Sequence, residues 1–143
     1  MNIAIGADHA GYEVKRVIIA FLKEKGHQIE DFGCYSKESI DYPDYAHPVC
    51  ESIEKGINKY GVLICGSGNG ISMAANKHPG IRAALSWNPE IAELGRLHNN
   101  ANIVSIPARF VSEESALKIV EVFFSTEFEG GRHQTRVDKI AYK

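Results

Sequence analysis

One stretch of this chain combines a reactive thiol with a backbone suited to binding an anion. Val62-Leu63-Ile64 is an apolar run that ends in Cys65, and Gly66-Ser67-Gly68-Asn69-Gly70 follows before a helical pattern begins at Ile71. This reads as a buried strand turning sharply into a helix N-terminus. Glycines let the backbone curl so that several N–H groups point into one concavity, and the helix dipole adds positive potential there. A thiol at the lip of such a concavity is a candidate base or nucleophile, because positive potential favours the reactive thiolate. The plain alternative is an ordinary strand-to-helix loop beside a buried cysteine, since glycine-rich loops are weakly specific on their own. Two familiar readings fail. Gly66 and Gly68 match the first two glycines of a dinucleotide fingerprint, but Ile71 stands at the third, and the Gly-Lys-Ser/Thr ending of a Walker loop is missing.

Other groups with chemical potential are scattered. Asp8-His9 closes the first apolar run, where a carboxylate and an imidazole can hold a sugar hydroxyl or a phosphate; Asp8 can equally be a helix cap. His98 lies at a helix end on the stripe of Ile91 and Leu94, where a packing role is the simpler reading, and Asn99-Asn100 reads as a C-cap region. Arg132 and Arg136 are four apart, so on a helix their guanidinium groups share a face and suit a phosphate; alone, such a pair reads as a solvated tail. Cys34 has no anion loop beside it, and Cys50 falls on a helix face with Val49 and Ile53, as buried filler does. The six histidines and three cysteines show no close metal-ligand spacing, so no metal site is expected.

The elements that must position these groups follow from periodicity. Strands are expected at Asn2–Ala7, Gln28–Phe32, Gly61–Cys65, Arg82–Ser86 and Ala101–Ile106. Helices are expected at 11–25, on the stripe Val14, Val17, Ile18, Phe21 and Leu22, from an N-cap at Asp44 to Lys55, and at Ile71–Lys77. Further helices are expected from Asn88-Pro89 to His98, at Glu113–Phe124, and in a basic tail after Gly130-Gly131, within 130–143. Alternating strand and helix predicts an α/β Rossmann-like three-layer sandwich, a five-stranded parallel sheet with helices on both faces, as a single domain over 1–143. Ligands of such sheets bind outside the carboxyl ends of the strands. That face should carry Asp8-His9, Cys65–Gly70, Ser86-Trp87 and Arg109.

Composition narrows the class. The chain has 143 residues and a net charge of −2, so one core is affordable and no global field favours nucleic acid or an anionic membrane. Its apolar runs are too short to span a bilayer, and the first residues lack the pattern of a secretory leader. Three widely spaced cysteines make no disulfide framework, and a reducing cytoplasm is the expected setting.

Taken together, the motifs are specific. Gly6-Ala7-Asp8-His9-Ala10-Gly11, Asp41-Tyr42-Pro43, Cys65–Ile71, Ala74-Ala75-Asn76-Lys77, Gly80-Ile81-Arg82-Ala83, His98-Asn99-Asn100-Ala101-Asn102 and Gly130–Arg136 run in order from end to end. In this set the chain resembles the ribose-5-phosphate isomerase B family, which also contains galactose-6-phosphate isomerase subunits. The resemblance implies a metal-free aldose–ketose isomerase, without a cofactor, that interconverts ribose 5-phosphate and ribulose 5-phosphate through an enediolate. It makes Cys65 the base that moves the proton between C2 and C1, with Ser67 shuttling the proton between O1 and O2. Backbone N–H groups of Gly66, Ser67, Gly68, Asn69 and Gly70 hold the enediolate. His98 with Asp8 opens the furanose ring, Tyr42 and Asn99 line the sugar, and His9, Arg109, Arg132 and Arg136 bind the phosphate. Many relatives have Thr where this chain has Ser67, which keeps the hydroxyl. Another branch takes its base from a Glu just after the loop; Ile71 stands there and cannot take a proton.

Two alternatives stay open. A six-carbon phosphate, galactose 6-phosphate or allose 6-phosphate, would undergo the same chemistry in a deeper pocket. A non-catalytic sugar-phosphate module would need the loop and the arginines, but neither Cys65 nor His98. Geometry adds one expectation. A helix running back from strand four to the start of strand five carries His98 away from Cys65, so both meet one sugar only in a homodimer or tetramer with shared sites, or if that helix is strongly tilted.

Overall fold

The computed structural model describes residues 1–142. Its strands are β1 Asn2–Ala7, β2 Gln28–Asp31, β3 Tyr60–Cys65, β4 Ala83–Leu85 and β5 Ile103–Pro107, in the order β2-β1-β3-β5-β4. Every pairing is parallel. The helices are α1 Tyr12–Glu24, α2 Pro43–Glu54, α3 Asn69–Ala75, α4 Pro89–Asn99, α5 Glu113–Ser125 and α6 Arg132–Asp138. A short 3-10 turn, His9–Gly11, precedes α1.

Side chains alternate across the pleat. Ile3, Ile5, Ala7, Val62, Ile64, Val104 and Ile106 pack with residues of α1, α4 and α5. Ala4, Leu63, Cys65 and Ile103 pack on the other face with Ala46, Val49 and Cys50 of α2 and Ile71 and Ala75 of α3. Covering both faces explains why the central strands read as continuous apolar runs rather than alternating ones. The α1 stripe buries Val14, Ile18 and Leu22, and also Lys15, whose ammonium donates to both carboxylate oxygens of Asp31 at 2.8 Å.

Several boundaries differ from expectation, each for a local reason. Asp44 does not cap α2; Tyr42 occupies the cap position and Pro43 opens the helix. Proline's fixed φ suits the first helical residue, so the chain enters the helix two residues early. Gly68, at φ 75°, makes the turn that starts α3 at Asn69 rather than Ile71. β4 starts later than Arg82 because side-chain amides take over its amino end. Arg82 N–H donates to Asn102 Oδ1 at 2.8 Å, and Asn76 Oδ1 and Nδ2 pair with Ala83 N–H and C=O at 2.8 and 3.1 Å. Asn100, at φ 47°, is the left-handed cap of α4 and delays β5 to Ile103. The tail forms α6, and its end, Lys143, lies outside the described residues. No helix among the described residues is long and apolar enough to cross a membrane.

The sheet order places a topological switch between β1 and β3. β1 is followed by a connection toward β2 on one side, while β3 leads to β4 and β5 on the other. A crevice outside the carboxyl ends of two such strands is where open α/β sheets bind ligands.

Candidate active site

Six of the expected groups converge at that switch point. Asp8 N–H donates to Ile64 C=O at 3.1 Å, tying the end of β1 to the end of β3. Asp8 is buried, and its Oδ1 accepts from Ala10 and Gly11 N–H at 2.9 and 3.2 Å. It is therefore a cap, as one reading allowed, and the cap leaves Oδ2 for other work. His9 Nδ1 accepts from Ile40 N–H at 3.2 Å. That contact makes Nε2 the nitrogen carrying the proton, hence a donor to an anion.

The loop after β3 is built around its own side chains. Gly68 N–H donates to Cys65 Sγ at 3.2 Å, and Asn69 N–H to Ser67 Oγ at 3.2 Å. Among the described residues, the N–H groups of Gly66, Ser67 and Gly70 then have no partner in the chain. The donors for a developing anion are narrower than the whole run Gly66–Gly70, because two of its amides serve the thiol and the hydroxyl. Glycine is needed where neighbours crowd in. A Cβ on Gly66 would lie 3.0 Å from Arg109 Nη1, and one on Gly70 would collide with the Tyr42 ring. The same contacts show that Arg109 and Tyr42 lie over the loop. Arg109 N–H also donates to Gly66 C=O at 3.0 Å, which ties β5 to the site. Ser86, expected on this face, is fully buried and its hydroxyl donates to Ala84 C=O, while Trp87 is half exposed.

The other two thiols differ from Cys65 in setting. Burial pushes the Cys50 thiol up to about 12, with the Glu54 carboxylate adding to the effect. Burial also raises the Cys34 thiol, although it donates to Ser36 C=O at 3.3 Å. Both thiols are buried, and Cys50 packs on its helix face as expected of buried filler.

The remaining expected groups lie elsewhere. α4 begins beyond the carboxyl end of β4 and ends where Asn102 C=O accepts from Gly61 N–H at 2.9 Å, beside the amino end of β3. Eleven helical residues rise about 16 Å. His98 and Asn99, at the end of α4, are thus at the opposite edge of the sheet from Cys65. α6 packs against α4, so Arg132 and Arg136 sit at that opposite edge too. Both arginines are exposed, and among the described residues neither has a carboxylate partner. One chain thus holds the expected groups in two separate places. A thiol, a donor loop, Asp8, His9, Tyr42 and Arg109 lie at the carboxyl ends; His98, Asn99, Arg132 and Arg136 lie at the amino ends.

Sequence reasoning did not single out Glu129 or His133 as functional. His133 is buried, and its ring stacks on His98 with centroids 4.2 Å apart and planes 12° apart. Ligand atoms of His98, Glu129 and His133 lie within 4.8 Å of one another. This grouping is tertiary, so ligand spacing along the chain could not reveal it. Parallel stacked rings send their lone pairs side by side, whereas two histidine ligands of one ion must aim at a shared point about 2.0–2.1 Å from each.

Known proteins place this geometry in a family. A family model described as Ribose/Galactose Isomerase matches residues 3–140. The chain belongs to the ribose/galactose isomerase family. It is 45% identical to ribose-5-phosphate isomerase B of Escherichia coli over 139 residues, covering 97% of this chain and 93% of that protein. The structure of ribose-5-phosphate isomerase B from Clostridium thermocellum superposes with a TM-score of 0.97 at 50% identity, covering 98% of this chain and 95% of the other. The enzyme from Mycoplasma genitalium with bound ribulose-5-phosphate superposes at 0.93, with 45% identity and 97% and 93% coverage. Members of this family with such likeness share the five-stranded α/β sandwich seen here.

Proposed function

We propose that this chain interconverts D-ribose 5-phosphate and D-ribulose 5-phosphate through an enediolate. The observation that carries the reading is the Cys65 sulfur, held 3.2 Å from Gly68 N–H within a loop that keeps free donors beside it. Its support from relatives is the bound ribulose-5-phosphate of the Mycoplasma genitalium enzyme.

The chemistry needs a base and an electrophilic cradle together, because a C–H beside a carbonyl is a poor acid. In the open-chain aldose, Cys65 takes the C2 proton, and the electron pair moves into a C1–C2 double bond as charge collects on O1. The free N–H groups of Gly66, Ser67 and Gly70 face that charge. Ser67 Oγ carries the hydroxyl proton from O2 to O1, and Cys65 returns its proton to C1, leaving the ketone at C2. A general base is worth ~10²–10⁴ in rate, and a single oxyanion donor ~10²–10³. Tyr42 borders the sugar, and His9 Nε2–H and Arg109 face its phosphate from this side of the site.

Ring opening and the remaining phosphate ligands come from His98, Asn99, Arg132 and Arg136. Their distance from Cys65 within one chain leads us to place them in the site of a second copy, so that a symmetric homodimer has two shared sites. Two exposed guanidinium groups four residues apart suit a phosphate dianion. No nucleic-acid or membrane partner enters the reading.

The direct test is ketose formation from ribose 5-phosphate, followed by ultraviolet absorbance or NMR. Cys65→Ala should lose nearly all turnover while still binding sugar phosphate, because donors and arginines remain. Cys34→Ala and Cys50→Ala should keep kcat. Substantial turnover by Cys65→Ala would overturn the assignment of the base. The matched family also includes galactose isomerases, so a six-carbon phosphate is the second reading. The ratio of kcat/KM for ribose 5-phosphate against galactose 6-phosphate and allose 6-phosphate decides between them.

A further inference from the structure

Where the tail meets α4, the structure contains a buried polar atom with no partner. Among the described residues, enclosed His133 Nε2 has no hydrogen-bond partner. Leaving such a group unsatisfied costs about 1–3 kcal/mol, so its placement calls for a physical reason. The neighbours supply one. The Glu129 carboxylate approaches His133 Nε2 at 3.7 Å and His98 Nε2 at 4.0 Å. Both distances exceed hydrogen-bond length by less than 1 Å. Glu129 N–H donates to Leu97 C=O at 3.1 Å, which fixes this carboxylate beside the last turn of α4. The buried His133 ring lies flat against the half-exposed His98 ring and limits its rotation.

We propose that Glu129 and His133 are positioning residues for His98 during opening of the sugar ring. The inference rests on the ring-opening role given to His98 above. A general acid works only when its proton-bearing nitrogen is held at the right atom. Here the stacked His133 ring fixes the plane of His98, and the Glu129 carboxylate places its charge within 4.0 Å of Nε2 of both rings. Nδ1 of His98 is then the nitrogen left for the sugar. In the step served, the C1–O4 bond breaks as O4 takes a proton from His98. The O1–H electron pair becomes the C1=O1 bond, and that proton passes to Asp8. Neither Glu129 nor His133 touches the substrate.

Ribulose 5-phosphate provides the discriminating measurement. Its 5-hydroxyl is phosphorylated, so it has no furanose form and needs no ring opening. Exchange of its C1 hydrogen with solvent deuterium requires binding, Cys65 and the donor loop, but no ring-opening step. Glu129→Gln is the first variant, since Glu129 is 57% exposed and its replacement leaves the core untouched. His133→Phe is the second, keeping a stacked ring and removing the nitrogen. For both, kcat from ribose 5-phosphate should fall about tenfold, a part of the ~10²–10⁴ worth of a general acid. Deuterium incorporation into ribulose 5-phosphate, followed by NMR, should stay within about twofold of wild type. Unchanged kcat in Glu129→Gln, or equal loss of both rates, overturns the positioning role. His98→Asn is measured alongside. Loss of exchange in that variant overturns the ring-opening role of His98 itself, a failure distinct from unchanged behaviour at Glu129.

Discussion

Mixing two inactive variants should restore activity, and the amount follows from the fold. Cys65 ends β3 at the carboxyl edge of the sheet, while His98 ends α4 at the amino edge. The eleven-residue helix alone separates these levels by about 16 Å. A pentose phosphate, several ångströms long, cannot meet both groups of one chain in a single reactive pose. In a symmetric dimer, each site takes Cys65 from one chain and His98 from the other. Refolding equal amounts of Cys65→Ala and His98→Asn chains makes half the dimers mixed if pairing is random. Each mixed dimer has one site carrying both lesions and one carrying neither, so about a quarter of wild-type turnover should return. Each variant is first assayed alone to fix the background. The mixture is then assayed after co-refolding, and again after mixing already folded dimers, which should stay inactive until subunits exchange. If co-refolding returns nothing above background, each site is built within one chain and the shared-site reasoning fails.

Arg132→Ala and Arg136→Ala should each raise KM for ribose 5-phosphate ~10–100-fold, the loss of a charge-assisted contact of ~1.5–3 kcal/mol; a KM near wild type in both would return the tail to a solvated surface. Asp31→Ala should destabilise the fold by about 2–3 kcal/mol in urea unfolding, because it strands the buried Lys15 ammonium. Lys15→Met removes the cation itself and should cost less, and equal losses would contradict this account of the pair. At high pH the Cys50 thiol should weaken the fold. Its folded value is raised from 9.0 to about 12, so above pH 9 the unfolded chain loses a proton that the folded chain retains. Stability from this group is complete below pH 9 and falls by about 1.4 kcal/mol per pH unit as pH rises toward 12. Cys50→Ala should flatten that limb in melting temperature against pH, and a parallel limb would refute the cause.

What could be read from the chain alone were the features carried by neighbours in sequence. The alternating apolar runs and helical stripes located all five strands and six helices, because period 2 and period 3.6 are local signals. The thiol and its glycine loop were legible for the same reason: Cys65 to Gly70 are contiguous, and one turn fixes how they face. The local signals failed where a distant side chain replaced backbone pairing. Asn76 and Asn102 shorten β4 from positions 7 and 20 residues away from the residues they bind. Lys15 read as one more charged helical residue, and only packing of α1 on the sheet brings it to Asp31, 16 residues on.

The site shows the same division on a larger scale. Sheet order, which no single strand encodes, sets Asp8 beside Ile64 and lays Arg109 on Gly66. The direction of α4 then carries His98 away from them, a consequence of parallel strands that must each return to the same edge. The stacking of His98 on His133, with Glu129 beside both, exists only because the tail folds back onto α4. Residue types and spacing determined which chemistry the chain can perform. Tertiary packing alone decided which of those residues one chain can bring together, since side-chain contacts depend on sheet order and helix direction rather than on distance along the sequence.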